Sequence, residues 1–327
     1  MRRPRILSGM RPTGRLHLGN YLGALQNWVT LQDECENLHM VADWHALTTD
    51  YEHTREIVPN TLEMVIDWLA AGIDPEKSPV FVQSHVKEHA ELHLLLSMLI
   101  TTSRLERNPT VKEQVRDLEL EDHVSYGHLG YPVLQAADIL LYKANLVPVG
   151  EDQVPHVEMT RELARKFNSL YGEVFPVPEP KLTRFARVPG LDGRRMSKSL
   201  GNTILLTDSP ETIEAKVKTA YTDPKKIRLT DPGNPDGCVV FAYHRAWNAE
   251  NAPAIDAACR AGQLGCVADK RDLAKILAEK LAPIRERRQE LEAHPERVRE
   301  ALRHGEERAR AVAQQTMREV REAMSLG

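Results

Sequence analysis

Two segments of this chain carry residues able to grip a phosphate, and neither is diagnostic alone. The first, residues 9–20, gathers Gly9, Arg11, Pro12, Thr13, Gly14, His17, Gly19 and Asn20 between a short apolar strand and a helical pattern. At such a turn, unpaired backbone N–H groups and the helix dipole favour an anion, and glycine lets it approach closely. The second is Arg194-Arg195-Met196-Ser197-Lys198-Ser199-Leu200-Gly201-Asn202, a basic stretch made mobile by Gly190, Gly193 and Gly201. A loop of that kind can close over a bound ligand. Together the two have the make-up of a nucleotide clamp. Singly, the first also reads as a glycine turn capped by Asn20, and the second as a solvated surface turn.

The chemistry is not that of a P-loop. Gly9 and Gly14 have its spacing, but Arg15 and Leu16 stand where a lysine and a hydroxyl residue would be needed. A dinucleotide GxGxxG fingerprint is missing too. A third feature is an acid inside the apolar run Tyr131-Pro132-Val133-Leu134-Gln135-Ala136-Ala137-Asp138-Ile139-Leu140-Leu141-Tyr142. A buried carboxylate is costly unless paired. Asp138 therefore takes a helix cap, an internal ion pair or a donor on a ligand. The polar turn Gly150-Glu151-Asp152-Gln153 follows, in which Asp152 is also a helix-cap candidate.

These residues need a scaffold. Strands are expected at 5–8, 38–42 and 79–83, with helices at 19–34 and 55–71 between them. Leu62, Val65, Ile66 and Leu69 recur at spacings of three and four, which marks an amphipathic helix. Strand–helix alternation predicts an α/β fold with a parallel sheet covered on both faces. Such sheets bind ligands at the carboxyl ends of their strands. The first segment begins where the first strand ends. After Asn202 the chain is mostly helical and charged. An apolar helix at 92–100 suits either the core or a subunit interface.

The 327 residues suffice for one large or two medium domains, and the net charge of −4 confines any polyanion contact to a local basic patch. No apolar run reaches the ~18–20 residues of a membrane span. The start, Met-Arg-Arg-Pro, lacks the apolar core of a secretory signal. The cytoplasm is the expected location.

His17-Leu18-Gly19-Asn20 resembles the HIGH signature of class I aminoacyl-tRNA synthetases, and Arg195-Met196-Ser197-Lys198-Ser199 resembles their KMSKS signature. Residues 131–142, 147–156 and 40–48 resemble the tryptophanyl members of that family, and the similarity runs nearly end to end. The resemblance implies a Rossmann-like catalytic domain at 1–204 and a helical anticodon-binding domain at 205–290, with a helix at 291–327 returning to the first domain. The implied activity is ATP-dependent ligation of L-tryptophan to its tRNA through a tryptophanyl-adenylate, with Mg2+, in a homodimer.

By motif position, His17, Asn20, Arg195 and Lys198 are the implied catalytic residues. ATP is assigned to Arg11, Pro12, Thr13, Gly19, Asn20, Gly150, Glu151, Asp152, Val188, Arg195, Met196, Ser197, Lys198 and Ser199. Tryptophan is assigned to His45, Tyr131, Asp138 and Gln153, with Asp138 taking the indole N–H and Tyr131 and Gln153 the amino group. An indole N–H is purely a donor. A site built around it rejects competitors lacking the donor by up to ~10⁴–10⁵.

The chain departs from the family pattern in places. Asn20 replaces the second histidine of HIGH, and Arg195 the first lysine of KMSKS. Arg11 stands where many relatives have Gln, and Gln135 where many are apolar. Some relatives bind a [4Fe–4S] cluster through four cysteines. Cys238, Cys259 and Cys266 match three of these, and Asp269 occupies the fourth position. A decayed site with free thiols is favoured over a cluster or zinc. Lys216, Lys218, Lys225, Lys226 and Arg228 are candidate tRNA contacts, or a solvated face. The rival activities are a tyrosyl-tRNA synthetase, an adenylyltransferase without tRNA, and a non-catalytic paralogue. The residues around Asp138, the long helical region, and the presence of both His17 and Lys198 respectively argue against them.

Overall fold

The computed structural model describes residues 3–117, 123–150, 153–182 and 188–326. Strands β1 (Arg5–Met10), β2 (Glu36–Val41), β3 (Val80–Val82), β4 (Leu146–Val149) and β5 (Glu179–Leu182) form one parallel sheet in the order β3-β2-β1-β4-β5. Parallel neighbours require crossovers, and helices supply them. A helical stretch made of α1 (Leu18–Asn20), a π-helical turn (Tyr21–Leu25) and α2 (Gln26–Leu31) joins β1 to β2. α3 (Asp43–Asp50) and α4 (Ile57–Ala70) lead to β3. α5 (Glu88–Ser97), α6 (Thr102–Glu106), α7 (Pro109–Asp117) and α8 (Tyr126–Leu141) lead to β4, and α9 (Val154–Tyr171) to β5.

The chain builds outward from β1 to β3, then crosses back to lay β4 on the other side of β1. That reversal opens a crevice at the carboxyl ends of β1 and β4, where open α/β sheets bind ligands.

The three strands expected from sequence are present. β4 and β5 escaped notice because each carries a proline, which argues against a regular ladder position. Pro180 is tolerated because β5 lies at the edge of the sheet, and β4 meets β1 in register only at Ile6 and Leu146. The apolar helix expected at 92–100 is α5, displaced toward the N-terminus.

The remaining helices are α10 (Pro210–Lys218), α11 (Val239–Trp247), α12 (Ala252–Arg260), α13 (Cys266–Ala293) and α14 (Pro295–Ala323). One apolar cluster joins Leu16, Leu18, Trp28 and Trp68 to Leu277, Leu281 and Ile284 of α13. The other joins Leu7, Phe81, Leu96 and Ile139 to Ala309, Ala313 and Met317 of α14. Gly305 lets α14 touch the sheet: a Cβ there would fall 1.9 Å from the Val80 carbonyl oxygen.

Candidate active site

A cavity of about 460 Å³ opens at the crevice, with Gly9, Arg11, His45, Tyr131, Asp138 and Arg195 in its wall. The first segment forms one lip. Gly14 turns the chain with φ +76°, a conformation that disfavours other residues. His17 is extended and caps α1. Its Nδ1 accepts the Asn20 backbone N–H at 3.2 Å, and Asn20 Oδ1 accepts the His17 N–H at 3.2 Å. This is a reciprocal capping box built from unusual residues.

The cap also sets the chemistry of the ring. Nδ1 is an acceptor, so the neutral imidazole carries its proton on Nε2, ready to donate. Burial, and then Lys198, push the His17 pKa down to about 4. The ring is neutral across the physiological range. Below that value a proton would displace the Asn20 N–H and place charge beside Lys198. If ATP is the substrate, as the two signatures imply, the pH profile of kcat/KM for ATP is expected to have its His17-linked acid limb near pH 4. It is measured by pyrophosphate exchange from pH 3.5 to 8, and a His17-dependent limb near 6.5, lost in His17→Asn, contradicts the assignment.

The second segment is folded onto the first. Lys198 Nζ donates to the Thr13 carbonyl, and the Gly19 N–H points at Met196 Sδ, 3.3 Å away. Glycine leaves room for this: a Cβ at position 19 would lie 3.1 Å from the His17 ring and 3.2 Å from that sulfur, so one of them would have to shift. Asn202, 4% exposed, staples the loop. Its Nδ2 donates to Asp192 Oδ1 at 2.8 Å and to the Arg195 carbonyl at 3.1 Å, while its Oδ1 accepts the Ser197 N–H at 2.8 Å. Arg194 is instead paired with Asp192 at the surface. Burial lowers the Lys198 pKa, against the opposing pull of Asp67.

Of the residues named for ATP in these two segments, Arg11 and Arg195 line the cavity, whereas Pro12, Thr13, Gly19, Asn20, Met196, Ser197, Lys198 and Ser199 do not and belong to the stretches where the two segments meet. Val188 precedes the loop, half-buried. Gly150 reaches the cavity from the end of β4. Glu151 and Asp152 lie outside the described residues. Arg11 lines the cavity, with its guanidinium directed to the Ala46 carbonyl at 3.2 Å and to Thr49 Oγ1.

At the far end Asp138 is 2% exposed. Its Oδ2 receives His45 Nε2 at 2.7 Å, and its Oδ1 receives His89 Nδ1 at 2.7 Å and Gln83 Nε2 at 2.8 Å. Burial by itself would raise the carboxyl pKa. The hydrogen bonds and charges of His45 and His89 outweigh it and hold the group below the usual range. A carboxylate has about four acceptor positions. Three are used here, and the acid also borders the cavity.

Tyr131 is held similarly: its hydroxyl meets His156 Nε2 at 2.7 Å, and Asn108 Nδ2 meets His156 Nδ1 at 3.2 Å. Burial pushes the Tyr131 phenol well up, with Arg11 opposing. Gln153 and Gln135 complete this wall.

Sequence reading paired Asp138 with a ligand or an internal partner, and the structure supplies internal partners while leaving room for a ligand. It missed His89, Gln83 and His156. Gln83 had one usable signal, its place just after β3 at the carboxyl edge of the sheet. Cys238, Cys259, Cys266 and Asp269 do meet, around a small cavity of about 10 Å³. Asp269 is paired there with His244 at 3.1 Å. Among the described residues no three His, Cys, Asp or Glu are arranged to hold a metal ion. A [4Fe–4S] cluster takes four thiolates, and this donor set of three thiols and a carboxylate facing His244 is one thiolate short of it.

The chain as a whole is similar to proteins already known. Residues 1–282 match the family model described as class I tRNA synthetases (W and Y). The chain is 52% identical to the tryptophan–tRNA ligase of Thermotoga maritima, over 98% of this chain and 99% of that one. It is 45% identical to the Aquifex aeolicus tryptophan–tRNA ligase, over 98% and 100%. A solved tryptophanyl-tRNA synthetase from Campylobacter jejuni, complexed with ADP and tryptophan, superposes with a TM-score of 0.86 at 34% identity, covering 98% of this chain and 100% of that one.

Proposed function

The chain belongs to the family of class I tRNA synthetases for tryptophan and tyrosine, and we propose that it joins L-tryptophan to its tRNA at the expense of ATP. The tryptophan carboxylate attacks the α-phosphorus of ATP, and pyrophosphate leaves. A terminal ribose hydroxyl of the tRNA then takes the aminoacyl group and releases AMP. No enzyme nucleophile is needed, so catalysis is positioning and charge stabilisation.

One observation carries the reading. A single cavity runs from Gly9 and Arg11 of the first segment and Arg195 of the second, which is folded onto the first, to a buried, ionised Asp138 with acceptor capacity left. In this reading His17 Nε2–H donates to the phosphates from one lip, and Lys198 and Arg195 approach from the other. Asp138 takes the indole N–H, His45 orients it, and Tyr131 and Gln153 hold the amino group. Magnesium would be held mainly by the ATP phosphates, as is usual for an ion that keeps its waters and binds few protein groups.

Helices α10 to α13 serve the anticodon end of the tRNA. Leu94 on α5 and Met98 just after it are exposed while Leu92 and Leu96 are buried. That outer apolar face suits a homodimer. Among the described residues no helix is long and apolar enough to cross a membrane, and a cytoplasmic location accords with the substrates.

ATP–pyrophosphate exchange is expected with tryptophan and not with tyrosine, followed by charging of tryptophan tRNA. Exchange driven by tyrosine alone would overturn the assignment.

A further inference from the structure

Beneath the first segment lies a buried ion pair that the proposed chemistry does not use. Arg288 comes from the long helix α13 and is 3% exposed. Its Nη1 donates to Asp67 Oδ1 at 2.5 Å and to the Glu63 carbonyl at 3.0 Å. Its Nε reaches Glu292 at 3.0 Å, and its Nη2 the Glu63 carboxylate. Asp67, on α4, is fully buried. Its second oxygen, Oδ2, accepts the backbone N–H of Leu16 at 2.6 Å. Leu16 is the residue before His17. Its carbonyl accepts the Leu206 N–H at 2.9 Å, just beyond the second segment.

A buried ion pair is weak evidence for stability, because desolvation offsets much of its attraction. Burial pushes the Asp67 carboxyl up, and Arg288 and the Leu16 N–H pull it back. What the arrangement does supply is direction. The planar guanidinium fork fixes one carboxylate oxygen, and the other oxygen then fixes the backbone from which His17 projects. Asp67 also lies close enough to Lys198 to act on its charge.

We propose that Asp67 is a positioning residue for the phosphate turn and that Arg288 sets it, so that α13 controls the geometry in which His17 and Lys198 meet ATP. This rests on the reading that the two segments bind ATP. It adds a route from the C-terminal helices to the reacting end of the site through Arg288, Asp67 and Leu16.

The test is a cycle of Arg288→Met, Asp67→Asn and the double variant, with Arg288→Lys as the milder change, assayed by pyrophosphate exchange. Misplacing a reacting group by about 1 Å costs ~10²-fold, so Arg288→Met is expected to lower kcat/KM for ATP by about that factor. The tryptophan dissociation constant should stay within roughly twofold, since binding remote from the turn is untouched. The double variant should lose little more than the worse single, because both act through one contact. Arg288→Lys should fall between, and serves if Arg288→Met does not fold.

Unchanged ATP parameters in folded Arg288→Met and Arg288→Lys, equal losses for ATP and tryptophan, or additive losses would each overturn the proposal. If Lys198→Ala also leaves exchange intact, the ATP reading itself has failed. If only Lys198→Ala is impaired, the fault lies with the Arg288 route alone.

Discussion

Replacing Lys198 with alanine is expected to slow tryptophan-dependent pyrophosphate exchange by about 10²–10³-fold, the range for loss of one preorganised charge-stabilising donor. The ammonium anchors the second segment on the first at the Thr13 carbonyl, beside the Met196 contact with Gly19. Partial burial lowers its pKa, and in the proposed mechanism it approaches the phosphates from the second segment. Its benefit is therefore concentrated in the transition state, where negative charge builds on oxygens it can reach. A residue of that kind affects kcat more than ground-state binding. Tryptophan affinity, measured by equilibrium dialysis, should change little, because Asp138 lies at the far end of the cavity. Exchange at the parent rate would remove Lys198, and the clamp with it, from the mechanism.

The second large effect is expected at Asp138. Asp138→Asn keeps the shape but presents an amide N–H₂ to donors that now receive an oxygen. His45 and His89 both direct a ring N–H at this carboxylate. One of them, or the ligand indole, then faces a donor in place of an acceptor. Loss of a polar contact that a site is built around costs up to ~10⁴–10⁵ in discrimination. We expect kcat/KM for tryptophan to fall by about 10³-fold. The value for phenylalanine, which has no N–H to offer, should fall much less. The ratio of the two is the decisive measurement, since simple loss of folded protein lowers both alike. An unchanged ratio would show that Asp138 does not read the indole.

Much of this was legible in the chain itself, for particular reasons. The capped turn after β1 announced itself through glycines, a histidine and a strand end within a dozen or so residues, because tight turns and helix capping are local demands. Asp138 stood out because an acid amid leucines and alanines is expensive and calls for a partner. The identity of its partners was not legible. Gln83 and His89 come from other elements, and a single polar residue gives no local sign of what faces it. β4 and β5 were hidden by Pro148 and Pro180, whose cost depends on where in the sheet a strand lies. The Arg288–Asp67 pair joins residues far apart in the chain, each of which would pass for an ordinary charged helix position.

The contact between Gly305 and Val80 has a consequence for solubility. β3 ends the sheet on its side, and Val80-Phe81-Val82 is a short, wholly apolar strand. Bare outer strands invite other chains to add to them, and proteins guard against this by covering them. α14 does so here with its backbone pressed on Val80. Arg308 binds the carbonyls of Pro75 and Glu76 on one flank, and Arg310 that of His85 on the other. The last helix is therefore a shield against intermolecular β-pairing and aggregation, and a chain cut short before it would present an adhesive margin.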